Sequence, residues 1–227
     1  MNAPRRPIRV AAFDVGETLI DETRIWSRWA DRLGVTRLSF LGVLGAMAAA
    51  GRPHREAFEV FRPGIDLDAE LAAWAADDPT GLRENFDHDD LYPDVRSCFA
   101  ALRAEGIGVV IAGNQPPQAA AALEAMDLGV DAVLISDVIG VAKPAPEFFA
   151  AVAAAADAEP DEIAYVGDRV DNDVLPARRA GMCAVLLRRG PWGFLQAQWP
   201  DAAQADHVVE SLDELAALLG SRSRSRR

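Results

Sequence analysis

The chain has 227 residues, half of them hydrophobic, and a formal net charge of −12. That much apolar material suits one domain with an insertion, or two small domains. The acidic balance argues against nucleic acid as a partner of the folded body, because phosphate backbones are held by net positive surfaces. The basic end, Ser221 to Arg227, is a short Ser/Arg repeat with nothing to bury, and a disordered, solvated tail is expected over 221–227. Cys98 and Cys183 are too few for a disulfide framework and are expected as buried free thiols. Too few apolar residues separate the basic start from Asp14 for a secretory signal. The most hydrophobic stretch, Leu38 to Ala50, is shorter than the roughly twenty residues of a membrane span and fits a buried or cap helix better. A soluble, cytoplasmic protein with no membrane partner is expected; the sequence carries no signal for an oligomeric state.

In chain order, the run Ile8 to Phe13 reads as a buried strand ending at Asp14. Residues 20–90 lack strand signals and show helical spacing instead, as in Ile25, Trp29 and Leu33, or Leu67, Leu71 and Trp74. Gly51-Arg52-Pro53, Arg62-Pro63-Gly64 and Asp78-Pro79-Thr80-Gly81 punctuate them. From residue 91 strands and helices alternate. A helix is predicted near Asp94–Glu105, a strand at Ile107–Ile111, a helix near Gln118–Met126 and a strand at Ala132–Ile135. A helix follows at Pro146–Ala156, opened by proline. Then come strand Ile163–Val166, helix Asn172–Ala180, strand Cys183–Leu187, short strand His207–Val209 and helix Leu212–Leu219. Strands apolar throughout and alternating with helices define an α/β fold, a doubly wound parallel sheet with a Rossmann-like core. The expected division is a core of 1–19 and 91–220 with an all-helical insert at 20–90.

Three motifs carry chemistry. Phe13-Asp14-Val15-Gly16-Glu17-Thr18-Leu19 ends the first strand. Ala142-Lys143-Pro144-Ala145-Pro146 contains the single lysine of a chain with 23 lysines and arginines together. Val166-Gly167-Asp168-Arg169-Val170-Asp171-Asn172-Asp173 ends a later strand. Two strand-end carboxylate clusters with one compact ammonium suit phosphoryl transfer: a nucleophile, a metal site and a charge clamp.

In order, spacing and strand-end placement, these motifs resemble the haloacid dehalogenase superfamily, in its class with a helical cap, over roughly residues 8–190. The resemblance implies that residues 20–90 are the cap that closes over the site and selects the substrate. It makes Asp14 the nucleophile that forms an aspartyl-phosphate, and Lys143 the charge clamp on nucleophile and phosphoryl group. Mg²⁺ would be held by Asp14, the Gly16 carbonyl and Asp168, with Asp173 holding this set in register or acting through water. Phosphate would be bound by Lys143 with Gly113 and Asn114. Two departures stand out. The family's phosphatases carry a second Asp, the general acid, where this chain has Gly16, and a Ser or Thr where it has Gly113.

Other readings of single residues remain open at this level. Gly113-Asn114 also reads as a structural turn. Glu17 is the nearest alternative proton source, although a neighbour one residue along is expected to point elsewhere. Thr18 is expected to bond within its loop, and Asp171 or Asn172 to cap the following helix. Trp26 and Trp29 are expected in a core, and Arg24 and Arg28 in solvent. The expected function is a Mg²⁺-dependent phosphatase acting on a small phosphorylated metabolite, slow or limited to activated phosphates. The alternative is an impaired member that binds a phospho-ligand or regulates. Dehalogenation is disfavoured by the retained acidic third motif. Carbon–phosphorus cleavage through a Schiff base is disfavoured by an insert without lysine.

Overall fold

Four apolar residues after Arg9 form the first strand of the computed structural model, which describes residues 6–224. Strand β1 (Val10–Phe13) is buried along its whole length, as a strand covered on both faces must be. The chain clusters into two units: one comprises the residues up to Asp21 together with those from Leu91 onwards, the other Glu22–Asp90.

The second unit is all helix: α1 (Thr23–Leu33), α2 (Arg37–Ala49), α3 (Glu56–Phe61) and α4 (Leu67–Asp77). Local chemistry sets the boundaries. α1 stops at Gly34, whose left-handed backbone turns its N–H onto the carbonyls of Ala30 and Asp31. α2 starts at Thr36, whose hydroxyl accepts the Ser39 N–H, and α4 at Asp66, whose carboxylate accepts those of Asp68 and Ala69. Trp29 is buried and meets Phe58 and Trp74 edge-on, at centroid separations of 4.8 and 4.9 Å. Trp26 is half-buried, stacks on Phe40 and donates its indole N–H to Glu22. The expectation of solvated Arg24 and Arg28 is overturned. Arg24 pairs with Asp87 and Asp90, each at 2.5 Å, and Arg28 donates to the Asn85 carbonyl at 3.0 Å. The segment 85–90 returns beside α1, its carboxylates taking Arg24 and its Asn85 carbonyl taking Arg28.

The first unit continues with α5 (Val95–Ala104), β2 (Gly108–Gly113), α6 (Gln118–Ala125), β3 (Ala132–Ile135), α7 (Ser136–Ile139) and α8 (Pro146–Ala156). After β4 (Ile163–Gly167) a π-helical turn, Val170–Val174, runs into α9 (Leu175–Arg179). β5 (Cys183–Leu187), α10 (Gly190–Gln196), β6 (His207–Val209) and α11 (Leu212–Arg224) complete it. All pairings are parallel, in the order β3-β2-β1-β4-β5-β6. β1 therefore lies between β2 and β4, where successive strands switch from one side to the other. That switch point is where open α/β sheets bind ligands, beyond the strands' carboxyl ends. Phe148, Phe149 and Tyr165 pack among Ala12, Val110 and Ala112 on one side of the sheet. Burying each large ring is worth roughly 1.5–3 kcal/mol.

Three expectations need correction. The predicted helix Asn172–Ala180 begins earlier, as the π-helical turn. No side chain caps that turn, so neither Asp171 nor Asn172 plays the expected role. Asp171 instead accepts from Arg169 and Gln196. The tail does not lose structure at Ser221, because α11 runs on to Arg224; residues 225–227 lie outside the described part. Cys98 and Cys183 are buried free thiols. Among the described residues, no single helix is long and apolar enough to cross a membrane.

Candidate active site

Register decides what stands beside Asp14. Phe13 pairs with Ile111 on one side and Val166 on the other, so the next residue leaves the sheet between the ends of β2 and β4. The Asp14 N–H still donates to the Val166 carbonyl at 2.9 Å, which fixes the carboxylate at the strand end. β4 closes with Gly167, so Asp168 emerges next door, and the π-helical turn brings back Asp173. A carboxylate oxygen from each of Asp14, Asp168 and Asp173 lies within 4.8 Å of the other two. All three side chains are buried.

Lys143 arrives from the loop between α7 and α8. Asn114 holds that loop with both ends of its amide: Nδ2 donates to the Lys143 carbonyl at 2.9 Å, and Oδ1 accepts the Lys143 N–H at 2.8 Å. The peptide that follows, Lys143–Pro144, is cis. The ammonium sits 2.6 Å from Asp14 Oδ1 and 2.6 Å from Asp173 Oδ1. It also lies over the Tyr165 ring, whose hydroxyl donates to the Ala112 carbonyl. Asp173 is held from its other oxygen by the Arg169 N–H at 3.0 Å.

Charge is unbalanced here. Three buried carboxylates face one ammonium, a surplus of negative charge in a low-dielectric setting. Burial drives the Asp168 carboxyl well above the usual range, helped by the charges of Asp173, Asp14 and Glu17. Burial likewise pushes Asp173 up to about 6, against the pull of Lys143. For Lys143 burial acts downward, but Asp14 and Asp173 outweigh it and raise the ammonium's pKa. A cluster of oxygen donors short of positive charge is chemically matched to a hard divalent cation.

The predicted residues divide as follows. Asp14, Lys143, Asp168 and Asp173 come together. Gly16 is in the loop directly after Asp14, in a bridge with Ile20. Gly113 ends β2 against Asp14: a β-carbon there would stand 2.9 Å from Asp14 Oδ1 and 2.8 Å from Val15 Cγ2. The strand end approaches that closely only because residue 113 has no side chain. Asn114 is occupied by Lys143 rather than turned outward as a lone donor. The Thr18 hydroxyl is buried and has no hydrogen-bond partner among the described residues; only its N–H bonds within the loop, to Val15. Glu17 is buried, with its carboxylate accepting the Tyr92 hydroxyl at 2.8 Å. Sequence reasoning missed Tyr92 and Arg189, which brace this loop. Neither stands in a motif, and the only signal was Arg189-Gly190-Pro191 shortly after the end of β5 at Leu187.

A strand-end carboxylate trio with a bridging lysine thus stands at the switch point of a parallel sheet. The model of the haloacid dehalogenase-like hydrolases matches residues 8–181, and the chain belongs to that family. Among curated relatives, the glyceraldehyde 3-phosphate phosphatase of Methanopyrus kandleri is 34% identical over 172 residues, covering 72% of each chain. The phosphoserine phosphatase of Thermus thermophilus is 32% identical over 176 residues, covering 71% of this chain and 68% of its own. Of solved structures, a phosphatase of the same superfamily from Thermococcus onnurineus superposes with a TM-score of 0.57 at 22% identity, over 94% of this chain and 98% of the other. The L-2-haloacid dehalogenase of Xanthobacter autotrophicus gives 0.60 at 20% identity, over 93% and 98%. At such identities these two speak for the fold alone.

Proposed function

We propose that this hydrolase is a Mg²⁺-dependent phosphatase of a small phosphorylated metabolite. The observation that carries the reading is the Lys143 ammonium, shared at 2.6 Å between Asp14 and Asp173 beside Asp168. Relatives named as phosphatases of glyceraldehyde 3-phosphate and of phosphoserine support the substrate class. Asp14 is the nucleophile: one carboxylate oxygen attacks phosphorus as the substrate's P–O bond breaks and its oxygen departs, giving an aspartyl-phosphate that water then hydrolyses to free Asp14 and inorganic phosphate. Lys143 offsets the negative charge brought together by nucleophile and phosphoryl group. Asp14, Asp168 and the Gly16 carbonyl would hold the magnesium, with Asp173 keeping Lys143 in place. When bound, the metal supplies charge neutralisation for the phosphoryl oxygens.

Gly16 offers no proton donor and Gly113 no hydroxyl. The reading therefore includes a preference for leaving groups that depart without a proton, such as acyl or aryl phosphates. Lys143 and Asn114's support of it take over phosphate binding at the end of β2. The same two glycines favour the second reading, a phospho-ligand binder that has lost turnover. Assay of purified protein on para-nitrophenyl phosphate with and without Mg²⁺ separates them. Metal-dependent turnover that disappears in Asp14→Asn supports the enzyme; metal binding without turnover supports the binder.

A further inference from the structure

The loop after Asp14 is gripped by a second set of side chains, distinct from the carboxylate trio. Glu17 adopts φ +50, a left-handed conformation that L-residues take at a cost and that surrounding structure must over-determine. Three features do so. The Tyr92 hydroxyl donates to Glu17 Oε2 at 2.8 Å, and the Tyr92 N–H donates to the Leu19 carbonyl at 2.9 Å. The Glu17 side chain lies on the backbone of Gly190: a β-carbon there would stand 2.5 Å from Glu17 Oε2 and 2.6 Å from its Cβ. Beside it, the Arg189 guanidinium lies 4.1 Å from the Tyr92 ring centroid.

Arg189 does more than stack. One of its nitrogens, Nη1, donates to the Thr18 carbonyl at 2.9 Å, while Nη2 bonds Asp94 Oδ2. The same Asp94 oxygen accepts the Leu212 N–H at 2.9 Å. The nucleophile loop is thus moored to the starts of α5 and α11 through one partly buried side chain. Within the loop, the N–H groups of Thr18, Leu19 and Ile20 all converge on the Val15 carbonyl. Those bonds set the loop's curvature but not its position against the strand ends. An outside anchor must supply that position.

We infer that Arg189 is a positioning residue for the Asp14 loop, acting through the Thr18 carbonyl and, by way of Tyr92, through Glu17. Arginine suits the task because its planar fork reaches a carbonyl and a carboxylate at once while its face rests on an aromatic ring. Gly16, whose carbonyl is the proposed metal contact, is two residues before Thr18, so releasing Thr18 loosens that carbonyl. The consequence for metal affinity rests on the proposed function; the mechanical role does not.

The experiment compares wild type with Arg189→Lys and Arg189→Met. It reads peptide-level hydrogen exchange over residues 14–20 in metal-free protein, and Mg²⁺ affinity by calorimetry. Arg189→Lys keeps a charge for Asp94 but loses the fork. The expected result is exchange several-fold faster over residues 14–20 with β4 and β5 unchanged, and Mg²⁺ affinity lower on the order of 10-fold. Arg189→Met should exceed both effects; where it does not fold, the lysine variant decides. Unchanged exchange over 14–20, or a rise spread equally over β4 and β5, overturns the inference. A wild type that binds no Mg²⁺ overturns the phosphatase reading instead, and leaves the exchange comparison to judge Arg189 alone.

Discussion

Gly113 packs so tightly against Asp14 that a single added β-carbon would stand 2.9 Å from the Asp14 Oδ1. The site is built around the absence of a side chain there. Gly113→Ser, which would supply the hydroxyl that the family resemblance leads one to expect at this position, is expected to harm rather than help. Overpacking of this kind costs about 1–3 kcal/mol, and here the strain falls on Asp14 and Val15. A lower melting temperature together with reduced kcat/KM on para-nitrophenyl phosphate is the expected outcome. A serine variant more active than wild type would show that the strand end has room to move.

Asp168→Asn is expected to weaken Mg²⁺ binding strongly, because it removes one of three carboxylates whose oxygens converge within 4.8 Å. The variant also relieves like-charge crowding, so metal-free stability should hold or rise. Calorimetric titration with a parallel thermal melt checks both. Unchanged affinity would remove Asp168 from the metal site.

Lys143→Arg should abolish most activity, although every other lysine-or-arginine position in this chain is arginine. The ammonium bridges two carboxylates at 2.6 Å each, and its side chain is only 1% exposed. A planar guanidinium cannot occupy that point without displacing Asp14 or Asp173. A loss of about 10²- to 10³-fold in kcat is expected, the scale for removing a preorganised electrostatic group. Retained activity would make Lys143 a bystander.

Much of this arrangement was legible in the residues themselves, because strand-end motifs are local. Asp14, Lys143, Asp168 and Asp173 each lie in a short segment whose apolar flank predicts the strand or turn that presents it. What escaped was non-local or masked by flexible spacing. α10 opens with Gly190-Pro191 and is too short for a periodic signal, and α7 has only four residues. The Arg189–Tyr92–Glu17 brace joins three segments far apart in sequence, so spacing could not announce it. Asp171 was assigned by its position before a helix. The turn there is of the wider π type and begins two residues after Asp168, so the capping geometry never forms.

The metal-free protein should become less stable as pH rises through mild acidity. Burial lifts the Asp173 carboxyl from its ordinary 3.8 to about 6, and Asp168 moves in the same direction. A folded-state pKa above the unfolded one means that protonation favours folding. The stabilising contribution is complete below 3.8 and is lost as pH rises through about 6. Saturating Mg²⁺ should cancel the decline by supplying the missing positive charge. Melting temperatures measured against pH, with and without the metal, test this. A decline that persists in Mg²⁺ would place the titrating group elsewhere.

Gly16 brings no side-chain proton donor to the loop after Asp14. If the missing general acid limits this enzyme, a substrate with an alkoxide leaving group should turn over far more slowly than an acyl or aryl phosphate. Only the alkoxide needs a proton at the departing oxygen, and general acid catalysis is typically worth about 10²- to 10⁴-fold. Gly16→Asp should therefore raise the alkyl-phosphate rate selectively. The gain should fall short of that range, because the new carboxyl arrives without neighbours to orient it. The Glu17 carboxylate does not anticipate this role: it is drawn towards Tyr92 and Gly190. The measurement is kcat/KM for one aryl and one alkyl phosphate in wild type and variant. Equal wild-type rates on both would mean that another group already delivers the proton. Turnover of neither, with Mg²⁺ still bound, would shift the assignment to the phospho-ligand binder.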